Sequence, residues 1–255
     1  MLTDAELARY HEQGFVIPAA FRLPAQTVAA IRDDHSRLIA RLPRFSDYCP
    51  TVLAYDVGFL EYARIPSILD MVEQVLGPDI ALWNSSFFAK PALTGTRTPW
   101  HQDGEYWPIR PLATCTVWIA IDDSTLENGC LRVIRGSHRA RALLAHRQND
   151  GPGLALNQEL DPAAYDERDA VDLVLQAGQV SLHDIFLVHG SEPNRSPKPR
   201  RGMTLRYMPT ASVFDREVAD RMTREKKLGA NHAERTLFLM RGVDRSGRND
   251  FRVRL

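Results

Sequence analysis

Trp100-His101-Gln102-Asp103 decides how this chain is read. On an extended strand, side chains two apart leave the same face, so the His101 imidazole and the Asp103 carboxylate converge on one point. A partner stands far downstream, in Leu187-Val188-His189-Gly190-Ser191. Two imidazoles and one carboxylate on one face of a metal, with the opposite face open, form the ligand set of non-haem Fe(II) centres. A bare His-x-Asp occurs by chance in many proteins. Here an HGS-x-P-N segment follows, and Arg200 lies eleven positions beyond His189. His183 stands in the same region as His189. His189 is preferred as the third ligand because it ends the apolar run Ile185-Phe186-Leu187-Val188 and precedes a Gly-Ser turn, which places it at a strand mouth. His183 is expected to be a supporting or structural residue.

Around this pair the pattern is β-rich. From Ile80 onward short strand-like runs alternate with turn residues, at 80–89, 98–103, 114–121, 130–134, 171–175, 179–182, 185–189 and 202–208. The series predicts a mainly β fold with flanking helices, an antiparallel double-sheet barrel of the double-stranded β-helix (jelly-roll, cupin-like) type. Thr3 with Glu6 is a capping box opening a helix that ends near Gly14, and Phe15-Val16-Ile17 reads as a strand. Helical spacing runs over 25–42 and from Pro66 to Leu76, where Gly77 is the stop. One domain over 1–255 is expected, with a helical part at about 1–78, a core at about 79–210 and a C-terminal segment at 211–255. An insertion at about 137–170 carries Gly151-Pro152-Gly153 and many charges. Connections of this length are often lids, so it is read as a mobile cover over the metal beside Tyr106 and Trp107.

Composition excludes several classes. The 255 residues carry a formal net charge of zero, with no basic stripe for nucleic acid. No apolar stretch approaches the roughly 18 residues that span a bilayer. The N-terminus has the pattern of a charged helix, not of a signal peptide. Three cysteines, Cys49, Cys115 and Cys130, form neither a disulfide framework nor a zinc spacing, which fits reduced thiols in a cytoplasmic protein. The expected partner is a small molecule, not nucleic acid or membrane. Oligomeric state is not legible.

The chain resembles the phytanoyl-CoA dioxygenase family of Fe(II)/2-oxoglutarate oxygenases. The resemblance runs from Leu2-Thr3-Asp4-Ala5-Glu6-Leu7 and Gly14-Phe15-Val16 through Trp100-His101-Gln102-Asp103-Gly104, Asn128-Gly129-Cys130-Leu131 and Gly136-Ser137-His138-Arg139 to His189-Gly190-Ser191-Glu192-Pro193-Asn194-Arg195-Ser196 and Arg200-Arg201-Gly202. It implies Fe(II), 2-oxoglutarate and O2 as cofactor and cosubstrates, with release of succinate and CO2. It implies His101, Asp103 and His189 as ligands, and gives His138 no ligand role. An arginine fork suits the distal carboxylate of 2-oxoglutarate. Arg200 and Arg201 face opposite ways on a strand, and the resemblance favours Arg200 as the inward one. Gln102 and Ser191 are similar to accessory cosubstrate contacts. Trp118 is another, since Thr114, Thr116 and Trp118 share one strand face. Glu105, Tyr106, Trp107 and Arg110 follow the ligand strand and are candidates for the substrate side, with Arg206 and Lys90 as further positive groups. Members act on acyl-CoA thioesters, osmolytes and natural-product intermediates; this compact chain resembles the last branch more than the longer acyl-CoA enzymes. An Asp at the carboxylate position argues against halogenation. Two other readings are a metal-binding jelly roll without catalysis and an oxygenase that does not use 2-oxoglutarate.

Overall fold

Thr3 caps the first helix reciprocally: its hydroxyl accepts from the Glu6 amide at 3.2 Å, and the Glu6 carboxylate accepts from the Thr3 amide at 2.9 Å. In chain order the elements are α1 (Asp4–Gln13), β1 (Phe15–Val16), α2 (Ala25–Arg41), β2 (Tyr48–Cys49), α3 (Leu60–Ala63) and α4 (Pro66–Leu76). There follow β3 (Ile80–Phe88), β4 (Thr98–His101), β5 (Ile109–Arg110), β6 (Cys115–Ala120), β7 (Leu131–Ile134), β8 (His146–Gln148) and β9 (Gln158–Leu160). The chain continues with β10 (Ala170–Leu173), β11 (Val180–Asp184), β12 (His189–Ser191), β13 (Gly202–Pro209), β14 (Val213–Phe214), α5 (Arg216–Glu225) and β15 (Phe238–Arg241). This computed structural model describes residues 1–228 and 230–254; positions 229 and 255, both in the C-terminal segment, lie outside the described residues.

Two antiparallel sheets form the core. The larger runs β1-β11-β6-β13-β3-β15, with β2 also on β3; the smaller runs β10-β7-β12-β4. This is the double-sheet architecture expected for a jelly roll. Strand alternation divides the labour of the larger sheet. On β6, Cys115, Val117 and Ile119 join Ile31 and Leu38 of α2 and Ile68 and Met71 of α4 in the main apolar cluster. Thr116 and Trp118, at the intervening positions, face the other way and line a chamber between the sheets. The helices therefore cover the outer face of the larger sheet, and the inner face is left for the site. Among the described residues no helix is long and apolar enough to cross a membrane.

Two expectations are corrected. The run 185–189 is not a strand: residues 185–188 form a buried turn and the strand begins at His189. Asp184 makes that turn, since its carboxylate accepts from the Phe186 amide at 2.8 Å and its carbonyl from the Leu187 amide at 3.1 Å. Strand 98–103 ends at His101, and Asp103 opens a short 3-10 turn, Asp103–Glu105. Within the insertion, β8 and β9 pair as a hairpin.

Candidate active site

His101 and His189 are direct cross-strand partners on β4 and β12. Their ring centroids are 4.1 Å apart. The Nδ1 of His101 lies 2.8 Å from the Pro99 carbonyl oxygen, and that of His189 lies 2.9 Å from the Leu187 carbonyl oxygen. A carbonyl oxygen only accepts, so each Nδ1 carries the proton and each Nε2 turns a lone pair to the centre. Gln102 is extended (φ −114°, ψ 131°), which returns Asp103 to the face of His101. The Asp103 Oδ1 then lies 3.7 Å from His101 Nε2 and 4.0 Å from His189 Nε2. The three donor atoms all lie within 4.8 Å of one another, and all three residues are buried.

The charge states suit a divalent cation. Burial, with His101 alongside, pushes the His189 imidazole well below its ordinary range, so it stays neutral. Burial works against the Asp103 carboxylate, but His101 and His183, aided by His189 and Arg206, hold its pKa well below the usual value. Neutral imidazoles and an ionised carboxylate are the forms that ligate metal. The residues present therefore fit an Fe(II) ion. The larger sheet steadies the carboxylate from behind: Thr116 Oγ1 donates to Asp103 Oδ2 at 3.3 Å, and His183 Nε2 stands 3.5 Å from the same oxygen. Among the described residues neither ring nitrogen of His183 has a hydrogen-bond partner, although the residue is 2% exposed.

Two spaces open from this centre. The inner chamber, about 30 Å³, is lined by Thr98, Thr116, Trp118, Ser191, Arg200 and Thr204, among others. Arg200 is 2% exposed and lies over the Trp118 ring at 5.3 Å. It donates from Nε to the Gly129 carbonyl at 3.1 Å and from Nη1 to the Phe88 carbonyl at 2.9 Å. Both acceptors are neutral, so its charge is not matched by them. Burial pushes its pKa down to about 10, still leaving it a cation. Gly202 lets Trp118 sit there, because a Cβ at that position would fall 2.1 Å from the indole Cζ2. Arg201 points away, its guanidinium on Asp122 at 2.7 and 2.9 Å. The outer cavity, about 500 Å³, shares Phe88, His101, Asp103 and Arg206 with the inner one. Tyr106, Trp107, Arg235 and the tip of the β8–β9 hairpin complete much of its wall.

Several expected site residues lie elsewhere. Gln102 alternates away from the ligand face; its side-chain amide donates to the Ala142 and Phe186 carbonyls and accepts from the Leu144 amide at 2.7 Å. It ties the insertion to the ligand strand and lines neither space. Lys90 turns into the protein, where Nζ donates to the Ser191 carbonyl at 3.3 Å and to that of Glu192. Burial, with Arg200 nearby, pushes its pKa down to about 6. Arg110 is exposed and folds back on the Trp107 and Ile109 carbonyls at 3.1 and 2.7 Å. Glu105 pairs with Lys226. His138 bonds the His11 carbonyl at 3.0 Å, outside both cavities. The tip of the insertion at 149–157 lines the outer cavity with Tyr106 and Trp107, where the sequence put a cover, whereas Arg235 and His232 line it without having been anticipated. The strand-like run Leu237-Phe238-Leu239-Met240 was the available signal, since it marks the C-terminal segment as returning to the sheet as β15.

The chain is similar to several known proteins. A protein of Dictyostelium discoideum described as a phytanoyl-CoA dioxygenase domain-containing protein 1 homolog is 32% identical over 153 residues, 59% of this chain and 54% of its own. The chain spans about half the length of the curated relatives it matches. Among solved structures, the non-heme monooxygenase ThoJ superposes with a TM-score of 0.73 at 27% identity, covering 97% of this chain and 88% of that one. EvdO2 from Micromonospora carbonacea var. aurantiaca, solved with 2-oxoglutarate, superposes with a TM-score of 0.67 at 26% identity, covering 82% and 91%. The model of one family matches residues 10–202, from the first helix through the ligand strands to the start of β13, and the chain belongs to that family, the phytanoyl-CoA dioxygenases (PhyH).

Proposed function

We propose that this chain is an Fe(II)- and 2-oxoglutarate-dependent dioxygenase. It hydroxylates, or otherwise oxidises, an unactivated C–H bond of a small-molecule metabolite, a natural-product intermediate. For hydroxylation, substrate, O2 and 2-oxoglutarate give alcohol, succinate and CO2. The observation that carries this reading is one centre of two imidazoles and a carboxylate, with a buried arginine, hydrogen-bonded only to neutral carbonyls, in the chamber beside it. A metal-binding module without catalysis has no use for that arginine.

His101 and His189 offer Nε2, and Asp103 offers Oδ1, to the metal. Thr116 and His183 keep Asp103 Oδ2 turned away from it. When bound, iron with 2-oxoglutarate supplies the oxidising power; the protein supplies position, charge and a dry cavity. Arg200 holds the distal carboxylate, with Ser191 and Trp118 beside it. The inner chamber, about 30 Å³, meets the outer cavity at Phe88 and Arg206. Tyr106 and Trp107 shield the open side of the centre, and Tyr106 is fixed by its hydroxyl on the Gln158 carbonyl at 2.9 Å.

Succinate release from a panel of metabolites, with and without Fe(II) and 2-oxoglutarate, tests the reading. Substrate-stimulated succinate that disappears with either omitted is the expected result. Oxygen uptake that needs no 2-oxoglutarate would overturn it.

A further inference from the structure

We infer that the substrate is an anion, and that Arg206 and Arg235 read its acidic group, a carboxylate or phosphate, in the outer cavity. The inference rests on the oxygenase reading, which assigns the inner chamber to 2-oxoglutarate. Arg206 is 5% exposed and Arg235 is 6% exposed. Arg206 donates to the Ser86 hydroxyl at 2.5 Å, and its Nε has no hydrogen-bond partner among the described residues. Arg235 donates to His232 Nδ1 at 2.7 Å, to the Asn84 side-chain oxygen and to the Pro50 carbonyl at 3.3 Å. Every one of these acceptors is neutral. Burying a charge without a counter-charge is costly, and buried charges in proteins are ordinarily paired.

The rest of the site does not supply the missing negative charge. Fe(II), Asp103, Arg200 and the two carboxylates of 2-oxoglutarate sum to neutrality. Arg206 and Arg235 are then left over, both on the wall of the outer cavity. Its rim adds Arg44 and Lys227 against Asp150. The surroundings also suit an anion on a flat apolar frame: the Arg206 guanidinium lies 5.1 Å from the Trp107 ring and 5.9 Å from the Phe88 ring. The aromatic walls take the frame of the substrate while the two forks take its charge.

Paired titrations with phenylacetate and its neutral amide, phenylacetamide, test this. Calorimetry without oxygen is run on the full chain, both metal-free and loaded with Fe(II) and 2-oxoglutarate. Phenylacetate is expected to bind at least about tenfold more tightly than the amide, about 1.4 kcal/mol. Arg206→Gln and Arg235→Gln should each shrink that preference, and the double variant should abolish it. Arg206→Lys, which keeps the charge but not the fork, should fall between. Equal binding of the two probes, no binding of either, or a preference that survives the double variant overturns the inference. So does an Arg206→Gln variant that loses 2-oxoglutarate as completely as Arg200→Ala, for then Arg206 serves the cosubstrate. Failure of the Fe(II)-loaded wild type to bind 2-oxoglutarate counts against the oxygenase reading, whereas the anion preference is read separately in the metal-free titration.

Discussion

Replacing Arg200 by Ala isolates the charge clamp from the metal site. In the folded chain its guanidinium is 2% exposed and rests on two neutral carbonyls, those of Gly129 and Phe88. A dicarboxylate that reaches it gains a desolvated, forked ion pair. Truncating one partner of such a pair costs about 2–5 kcal/mol. At about 1.4 kcal/mol per tenfold, 2-oxoglutarate affinity should fall by roughly 30-fold to a few thousandfold. Arg201→Ala is the internal control. It removes a partly exposed pair with Asp122, which also keeps Arg32 at 3.4 Å. The cost there is to stability, up to about 1 kcal/mol, or a Tm shift of roughly 2–4 °C in a chain of this size. Affinity is read by calorimetry of the Fe(II)-loaded protein without oxygen, and folding by thermal melts of the same samples. A folded Arg200→Ala variant with wild-type affinity, or a loss confined to Arg201→Ala, would refute the reasoning.

Ala at His101, Asp103 or His189 should each remove most activity and weaken Fe(II) binding in equilibrium dialysis; a fully active His189→Ala beside an inactive His183→Ala would make His183 the third ligand. Shortening the hairpin tip at 150–156 opens one wall of the outer cavity. Succinate should still form but exceed oxidised product, and an unchanged ratio with normal substrate affinity would end the idea that this segment shields turnover. Gly202→Ala drives a methyl into Trp118, so both stability and 2-oxoglutarate affinity should drop. Burial, with Arg201 nearby, holds the His35 pKa at about 4 against an ordinary 6.5. The unfolded chain therefore takes up that proton first, and stability falls as pH drops through this window, by about 2 kcal/mol at about pH 5. Denaturant melts of the wild type and His35→Phe should diverge below neutral pH and differ little in pH dependence above it.

The sequence by itself carried the elements whose signal is local. The capping box of Thr3 and Glu6, the helical spacing over 25–42, and the alternation of Thr116 and Trp118 against Val117 and Ile119 each depend on neighbours within a few residues. The ligand set was legible for a related reason. His-x-Asp is a same-face spacing, and His189 stands at the boundary of an apolar run, although that run proved to be a turn and the strand to begin at His189. What lay beyond was set by contacts distant in sequence. Alternation alone should have turned Gln102 away from His101 and Asp103, but only the folded insertion shows what it holds there, the Ala142 carbonyl and the Leu144 amide. Lys90 and Arg206 are both cations near strand ends or within strands of one sheet, and no local pattern separates the one buried under the Ser191 carbonyl from the one facing the cavity. His183 approaches Asp103 across eighty positions because β11 and β4 belong to facing sheets. Arg235 enters the cavity wall because β15 pairs back onto β3. Such pairings are chosen by closure of the sheets around a buried core, a global packing condition. A linear pattern names the strands and the chemistry they carry, whereas closure decides which side chains meet.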